Sequence, residues 1–148
     1  MSKMLTEQLQ VSGLSNDLDK TQTIGLASVI ESGRCTYSSG ETLFHSGDKA
    51  GFFFLIESGQ ASVQGPNKIR HPLKGSSLSI TGEQGVIDPD NPRKMTLQAD
   101  SDIIAYRIDI SAIESLEAET RIIVWRNIAR ILSRKLRDCR IKGRKKDV

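Results

Sequence analysis

The sequence predicts an α+β fold, an antiparallel β-roll flanked by an N-terminal helix and long C-terminal helices. Two observations predict it. Between Arg34 and Arg107, short apolar runs are punctuated by turn residues: Ser38-Ser39-Gly40, Ser46-Gly47-Asp48, Ser58-Gly59, Gly65-Pro66-Asn67 and Lys74-Gly75-Ser76. Many short strands with regular turns make a small sandwich or roll. On either side of this region the apolar residues recur instead at helical spacing.

The first element is a short helix from Leu14 to Ile30. Leu14, Leu18, Ile24, Leu26, Val29 and Ile30 cover one face, Ser15 or Asn16 caps the start, and Ser32-Gly33 stops it. Phe52 to Ile56 reads as a buried strand, with Ala61 to Gln64 as its hairpin partner. Met95 to Ala99 and Ile103 to Ile108 follow as two more strands. Ser111, with Glu114 three residues on, forms a capping box for the last helical phase. After a break near Thr120 a long amphipathic helix carries Ile123, Val124, Ile128, Ile131, Leu132 and Leu136 on its apolar stripe, with Trp125 at the margin. The stripe either covers the roll or leaves surplus apolar surface for a second copy in a homodimer.

Composition narrows the function. The chain has 148 residues, 37% hydrophobic and 26% charged, which suits one domain with a real core. No apolar run is long enough for a bilayer, and Met1 to Gln8 lacks a signal-peptide core, so a cytoplasmic location is expected. Cys35 and Cys139 lie far apart and read as reduced thiols. His45 and His71 show no metal-ligand spacing, so no metal or catalytic cofactor is expected. No Ser-His-Asp constellation, P-loop or HExxH motif occurs, and catalysis is not expected. The net charge is +3, with the excess at Arg134, Lys135, Arg137, Arg140, Lys142, Arg144, Lys145 and Lys146. That run reads first as a solvated helix face and a basic tail; nucleic acid is the lesser alternative.

The chemistry concentrates at Gly82-Glu83-Gln84-Gly85, followed after a polar loop by Pro92-Arg93. A carboxylate accepts from hydroxyls, glycines admit close approach, and a guanidinium forks onto phosphate oxygens. Together they suit a small ligand with a sugar diol and one phosphate. The segment GEQGVIDPDNPRKMTLQA (82–99) resembles the phosphate-binding cassette of the cyclic nucleotide-binding domain family. The resemblance extends back through Ser39 to Phe44, His45 to Asp48, and Phe53 to Val63, and covers roughly residues 15 to 140.

The resemblance implies a jelly-roll (double-stranded β-helix) and a binding domain at 14–140, between an N-terminal segment 1–13 and a basic tail 141–148. It implies that Glu83 takes the ribose 2′-hydroxyl and Arg93 the exocyclic phosphate oxygens, aided by peptide N–H groups around Gln84 and Gly85. The implied ligand is cyclic AMP first and cyclic GMP next. The final helix would cover the base, with Asp138, Cys139 and Arg140 as the candidate lid, and signal to a protein partner by moving. Thr81, Gln84, Lys94 and Met95 depart from the usual family pattern. Lys94 adds a second charge near phosphate or obstructs the site. A degenerate cassette, acting only as an interaction or dimerisation scaffold, is therefore the alternative reading. In bacterial activators of this family the final helix leads into a DNA-binding domain; the chain stops at Val148, soon after that helix, so DNA control by these residues alone is not expected.

Overall fold

Strand formation follows the buried alternation of the sequence. In the computed structural model, which describes residues 3–146 and side chains from 4 to 139, two four-stranded antiparallel sheets face each other. The strands are β1 (Arg34–Tyr37), β2 (Thr42–Phe44), β3 (Phe52–Ser58), β4 (Ala61–Gln64), β5 (Arg70–Pro72), β6 (Ile80–Thr81), β7 (Thr96–Ala99) and β8 (Ile103–Asp109). One sheet runs β1-β8-β3-β6 and the other β2-β7-β4-β5. Pairing is nested: β4 with β5, β3 with β6, β2 with β7 and β1 with β8. This is the predicted β-roll.

The helices are α1 (Lys3–Ser12), α2 (Lys20–Glu31), α3 (Ser76–Ser79), α4 (Gln84–Ile87), α5 (Ile110–Glu114) and α6 (Ala118–Lys146). Strand β3 shows how the two cores divide. Phe54 and Ile56 point into the roll, against Phe44, Leu97 and Ile103. Phe53 and Leu55 point outward to the helices, among Leu5, Leu26, Val124 and Ile128. A strand covered on both faces reads as a continuous apolar run, as Phe52 to Ile56 does. Among the described residues no helix is long and apolar enough to cross a membrane.

Several local expectations are corrected. Strands β3 and β4 are not hairpin partners: they lie in different sheets. Gly59 makes the crossing, with φ of +109° and a Cβ position that would fall 2.4 Å from the Asp102 carbonyl oxygen. Only glycine fits such a corner. The expected helix from Leu14 begins only at Lys20, capped by Asp19 in a reciprocal box with Gln22 rather than by Ser15 or Asn16. Residues 13–19 cannot continue a helix because Gly13 and Asp17 both have positive φ. Asn127 Nδ2 also donates to the carbonyls of Leu14 (2.9 Å) and Asn16 (2.8 Å), taking acceptors a helix would use. Ser111 lies inside α5, which starts after Asp109 without a side-chain cap. The break before the long helix falls at residues 115–117, and Thr120 is buried in its first turn. Ile24 and Leu136, assigned to apolar faces, are exposed.

Candidate functional site

The cassette is a corner between β6 and α4. Gly82 follows β6 with φ of +84°, and a Cβ there would press on the Phe44 ring and the Arg93 guanidinium. Glu83 then opens the single turn of α4, in which Gly85 N–H donates to Gly82 O (3.0 Å) and Val86 N–H to Glu83 O (3.2 Å). The Glu83 side chain is only 5% exposed.

Arg93 is placed by the turn before β3. Gly47 N–H donates to Arg93 O at 2.6 Å, and Arg93 N–H donates to Asp48 O at 2.9 Å. The Asp48 carboxylate closes that turn by accepting from His45 N–H (2.9 Å). Ser46 adds bonds to Thr96 Oγ1 (3.0 Å) and Lys94 O (3.3 Å). The Ser46-Gly47-Asp48 turn therefore acts as a backbone clamp that fixes where Arg93 emerges.

The Arg93 side chain is buried. Its Nη1 donates to Gly82 O at 2.8 Å and its Nη2 to Phe52 O. The guanidinium carbon lies 4.2 Å from the Phe44 ring centroid and 4.7 Å from that of Phe52. Nε has no hydrogen-bond partner. Among the described residues no carboxylate makes an ion pair with it. Burial pushes the guanidinium below its ordinary pKa, while the nearby Glu83 charge pulls the other way; arginine stays protonated regardless. Arg93 is thus a buried cation held by carbonyl dipoles and aromatic faces, with the Glu83 and Asp48 charges nearby but no carboxylate in ion-pair contact among the described residues.

Glu83 and Arg93 open onto a cavity of about 820 Å³ between the cassette and α6, within the range of small-molecule sites. All six predicted ligand-binding residues, Gly82, Glu83, Gln84, Gly85, Arg93 and Lys94, line it. Gln84 and Lys94 are exposed as well as lining the cavity. The Gly85 N–H is turned into the cassette by its bond to Gly82 O rather than left open to a ligand. Of the predicted lid, Cys139 lines the cavity with Leu132 and Leu136, whereas Asp138 is exposed and is not one of the lining residues. The Arg140 side chain lies outside the described residues. Among the described residues no cluster of three metal-ligating side chains occurs.

Sequence reasoning missed Lys135, which it placed in the solvated basic face. The side chain is only 18% exposed: its Nζ lies 2.6 Å from Glu83 Oε1 and donates to Ile80 O. Its signal was positional. Thr120, Val124, Asn127, Ile128 and Ile131 form the buried face of α6, and Lys135 is the next residue on that face, four after Ile131. Phe44 and Phe52 were also missed as partners of Arg93, because aromatic residues in strands read simply as core.

The family model for the cyclic nucleotide-binding domain matches residues 34–120, more than half of the chain. Solved structures agree on the fold. A cyclic nucleotide-binding domain from Methylobacillus flagellatus KT superposes with a TM-score of 0.73 at 21% identity, covering 92% of this chain and 80% of that one. The N-terminal domain of a transcriptional regulator from Streptomyces coelicolor A3(2) gives 0.66 at 23%, covering 93% and 95%. PKAR CBD2 with Sp-2Cl-cAMPS bound gives 0.65 at 21%, covering 89% of each.

Proposed function

Because the chain belongs to the cyclic nucleotide-binding domain family, we propose that it is a receptor for a cyclic nucleotide, cyclic AMP before cyclic GMP, that signals through α6. The observation carrying this reading is the buried, unpaired Arg93 guanidinium beside a buried carboxylate at one cavity. Arg93 takes the phosphate in exchange for carbonyl contacts, and a charged pair with phosphate is stronger than those bonds. Glu83 takes the sugar hydroxyl. The similar PKAR CBD2 structure, with a cyclic AMP analogue bound, supports that ligand class. Leu132, Leu136 and Cys139 offer an apolar roof for the base. The binding unit spans 14–140, with segment 1–13 before it and the basic tail 141–148 after it. The receptor is proposed to be cytoplasmic and non-catalytic.

The proposed partner includes a second copy. Ile122, Trp125, Ala129, Leu132, Leu136 and Cys139 repeat at alternating three- and four-residue steps along α6, the spacing of a coiled-coil seam. Ile122 is 66% and Leu136 55% exposed. A ligand-free scaffold is the second reading, favoured by Glu83 already having an ion-pair partner in Lys135. Calorimetric titration with cyclic AMP, cyclic GMP and 5′-AMP decides between them. Saturable binding of a cyclic nucleotide, absent with 5′-AMP, is the expected result; no heat with any of the three leaves the scaffold.

A further inference from the structure

From the placement of Lys135 we infer that the chain carries its own competitor for the carboxylate end of the site: Lys135 occupies Glu83 and latches α6 onto the cassette. The inference rests on the receptor reading above in one respect only, that Glu83 is the seat of the sugar hydroxyl.

The buried face of α6 passes over the sheet with Val124, Ile128 and Ile131, and at the cassette it presents an ammonium instead of an apolar side chain. That ammonium is held from two sides, by Glu83 Oε1 at 2.6 Å and by the Ile80 carbonyl. Both partners belong to the cassette corner, one on β6 and one at the start of α4. Lysine is strongly hydrated when free, so a mostly buried Nζ in this place has exchanged water for a specific seat. A hydroxyl arriving at Glu83 Oε1 meets Nζ already at hydrogen-bond distance and competes with it for that oxygen.

Displacement has a mechanical result. The upstream half of α6 is pinned independently of the site. Asn127 binds the carbonyls of Leu14 and Asn16, and Arg126 and Arg130 reach the Asp17 carboxylate at 2.9 and 3.2 Å. Beyond Ile131 the described ties of the helix to the cassette run through Lys135, with Leu132 partly packed. Displacement of Lys135 therefore cuts the described polar tie of the distal half of α6 to the cassette, from about residue 132, so that Leu132, Leu136 and Cys139 re-seat over the base, and it leaves the proximal half in place. The latched state is a population that ligand must work against, so it lowers apparent affinity.

The test is the variant Lys135→Met, which keeps the apolar stem and removes the charge, compared with the wild type by calorimetry and by hydrogen exchange of residues 132–139. Without ligand, the variant exchanges faster in that segment, while residues 120–131 are unchanged. Cyclic AMP binds the variant about tenfold more tightly, the expected scale for removing one charge-assisted competitor. Unchanged ligand-free exchange overturns the latch whatever the binding data say. Faster exchange with equal or weaker affinity overturns the competition at Glu83. If neither protein binds a cyclic nucleotide, the receptor reading fails, and the ligand-free exchange alone decides the latch.

Discussion

Replacing Arg93 by alanine probes the site and the fold at once, and the two effects separate in size. In the ligand-free protein the side chain gives one bond to Gly82 O, one to Phe52 O, and stacks between Phe44 and Phe52. Bonds from a charged donor contribute about 1.5–3 kcal/mol each, and a desolvated cation–π contact about 2 kcal/mol. Against them stands the cost of burying a cation that makes no ion pair, only partly offset by the Glu83 and Asp48 charges nearby; that cost is of similar size and opposite sign. Gly82 O also keeps its bond from Gly85 N–H. The net loss of stability is therefore small, about 1–2 kcal/mol. Binding responds differently, because phosphate without the guanidinium loses its one buried charged partner. Two charge-assisted bonds lost, at about 1.5–3 kcal/mol each, weaken affinity by at least about a hundredfold. Thermal melting and calorimetry on the same samples measure both quantities. Arg93→Lys keeps the charge without the fork and falls between alanine and wild type. Alanine-variant affinity within threefold of wild type, in a protein that melts cooperatively, refutes the assignment of Arg93 to phosphate.

Three further outcomes are expected. Gly59→Ala strains the crossing from β3 to β4, where φ is +109° and the Asp102 carbonyl blocks a Cβ; a loss of about 2–4 kcal/mol is expected in urea unfolding, and a loss below about 0.5 kcal/mol contradicts the corner geometry. Burial raises the Cys35 thiol above 9.0 and the Tyr37 hydroxyl above 10.0. Both are favoured in their protonated forms by the fold, so their stabilisation is complete below those ordinary values and falls as pH rises through the folded values. The urea midpoint should drop from pH 8 to pH 10.5, and less steeply in Cys35→Ala; an equal drop in both removes Cys35 as a cause. In a parallel dimer along the α6 seam, Cys139 meets its counterpart, and mild oxidation yields a linked dimer that Cys139→Ser abolishes; a monomer by light scattering that never cross-links contradicts that dimer.

The roll was legible because its turns and apolar runs are local signals. That Glu83 and Arg93 meet at one cavity was legible because they stand in one short segment, 82–99, that resembles the cassette of the family. What failed depended on distant partners. Strand pairing of β3 and β4 was misread because proximity in sequence favours a hairpin, and the choice of sheet is made by Gly59 against Asp102. Residues 14–19 have helical spacing, yet Asn127, more than a hundred residues away, captures their carbonyls. Lys135 looked like one more member of a basic run, since nothing in its neighbours announces a carboxylate 52 positions earlier (135 − 83).

The nested strand pairing sets an order of assembly. The innermost pair, β4 with β5, closes over a few residues, Gln64 opposite Arg70, whereas the outermost joins Cys35 with Ala105, 70 residues apart. Closing the inner pair first shortens every later loop, so the roll zips outward from β4–β5 at the lowest entropic cost. On a ribosome, β1 emerges before every other strand, and its partners in β8, Ile103 to Tyr106, emerge after all the rest. Arg34 to Tyr37 wait while about 70 further residues are made, and their polar, half-exposed sequence keeps that waiting edge from sticking to other chains.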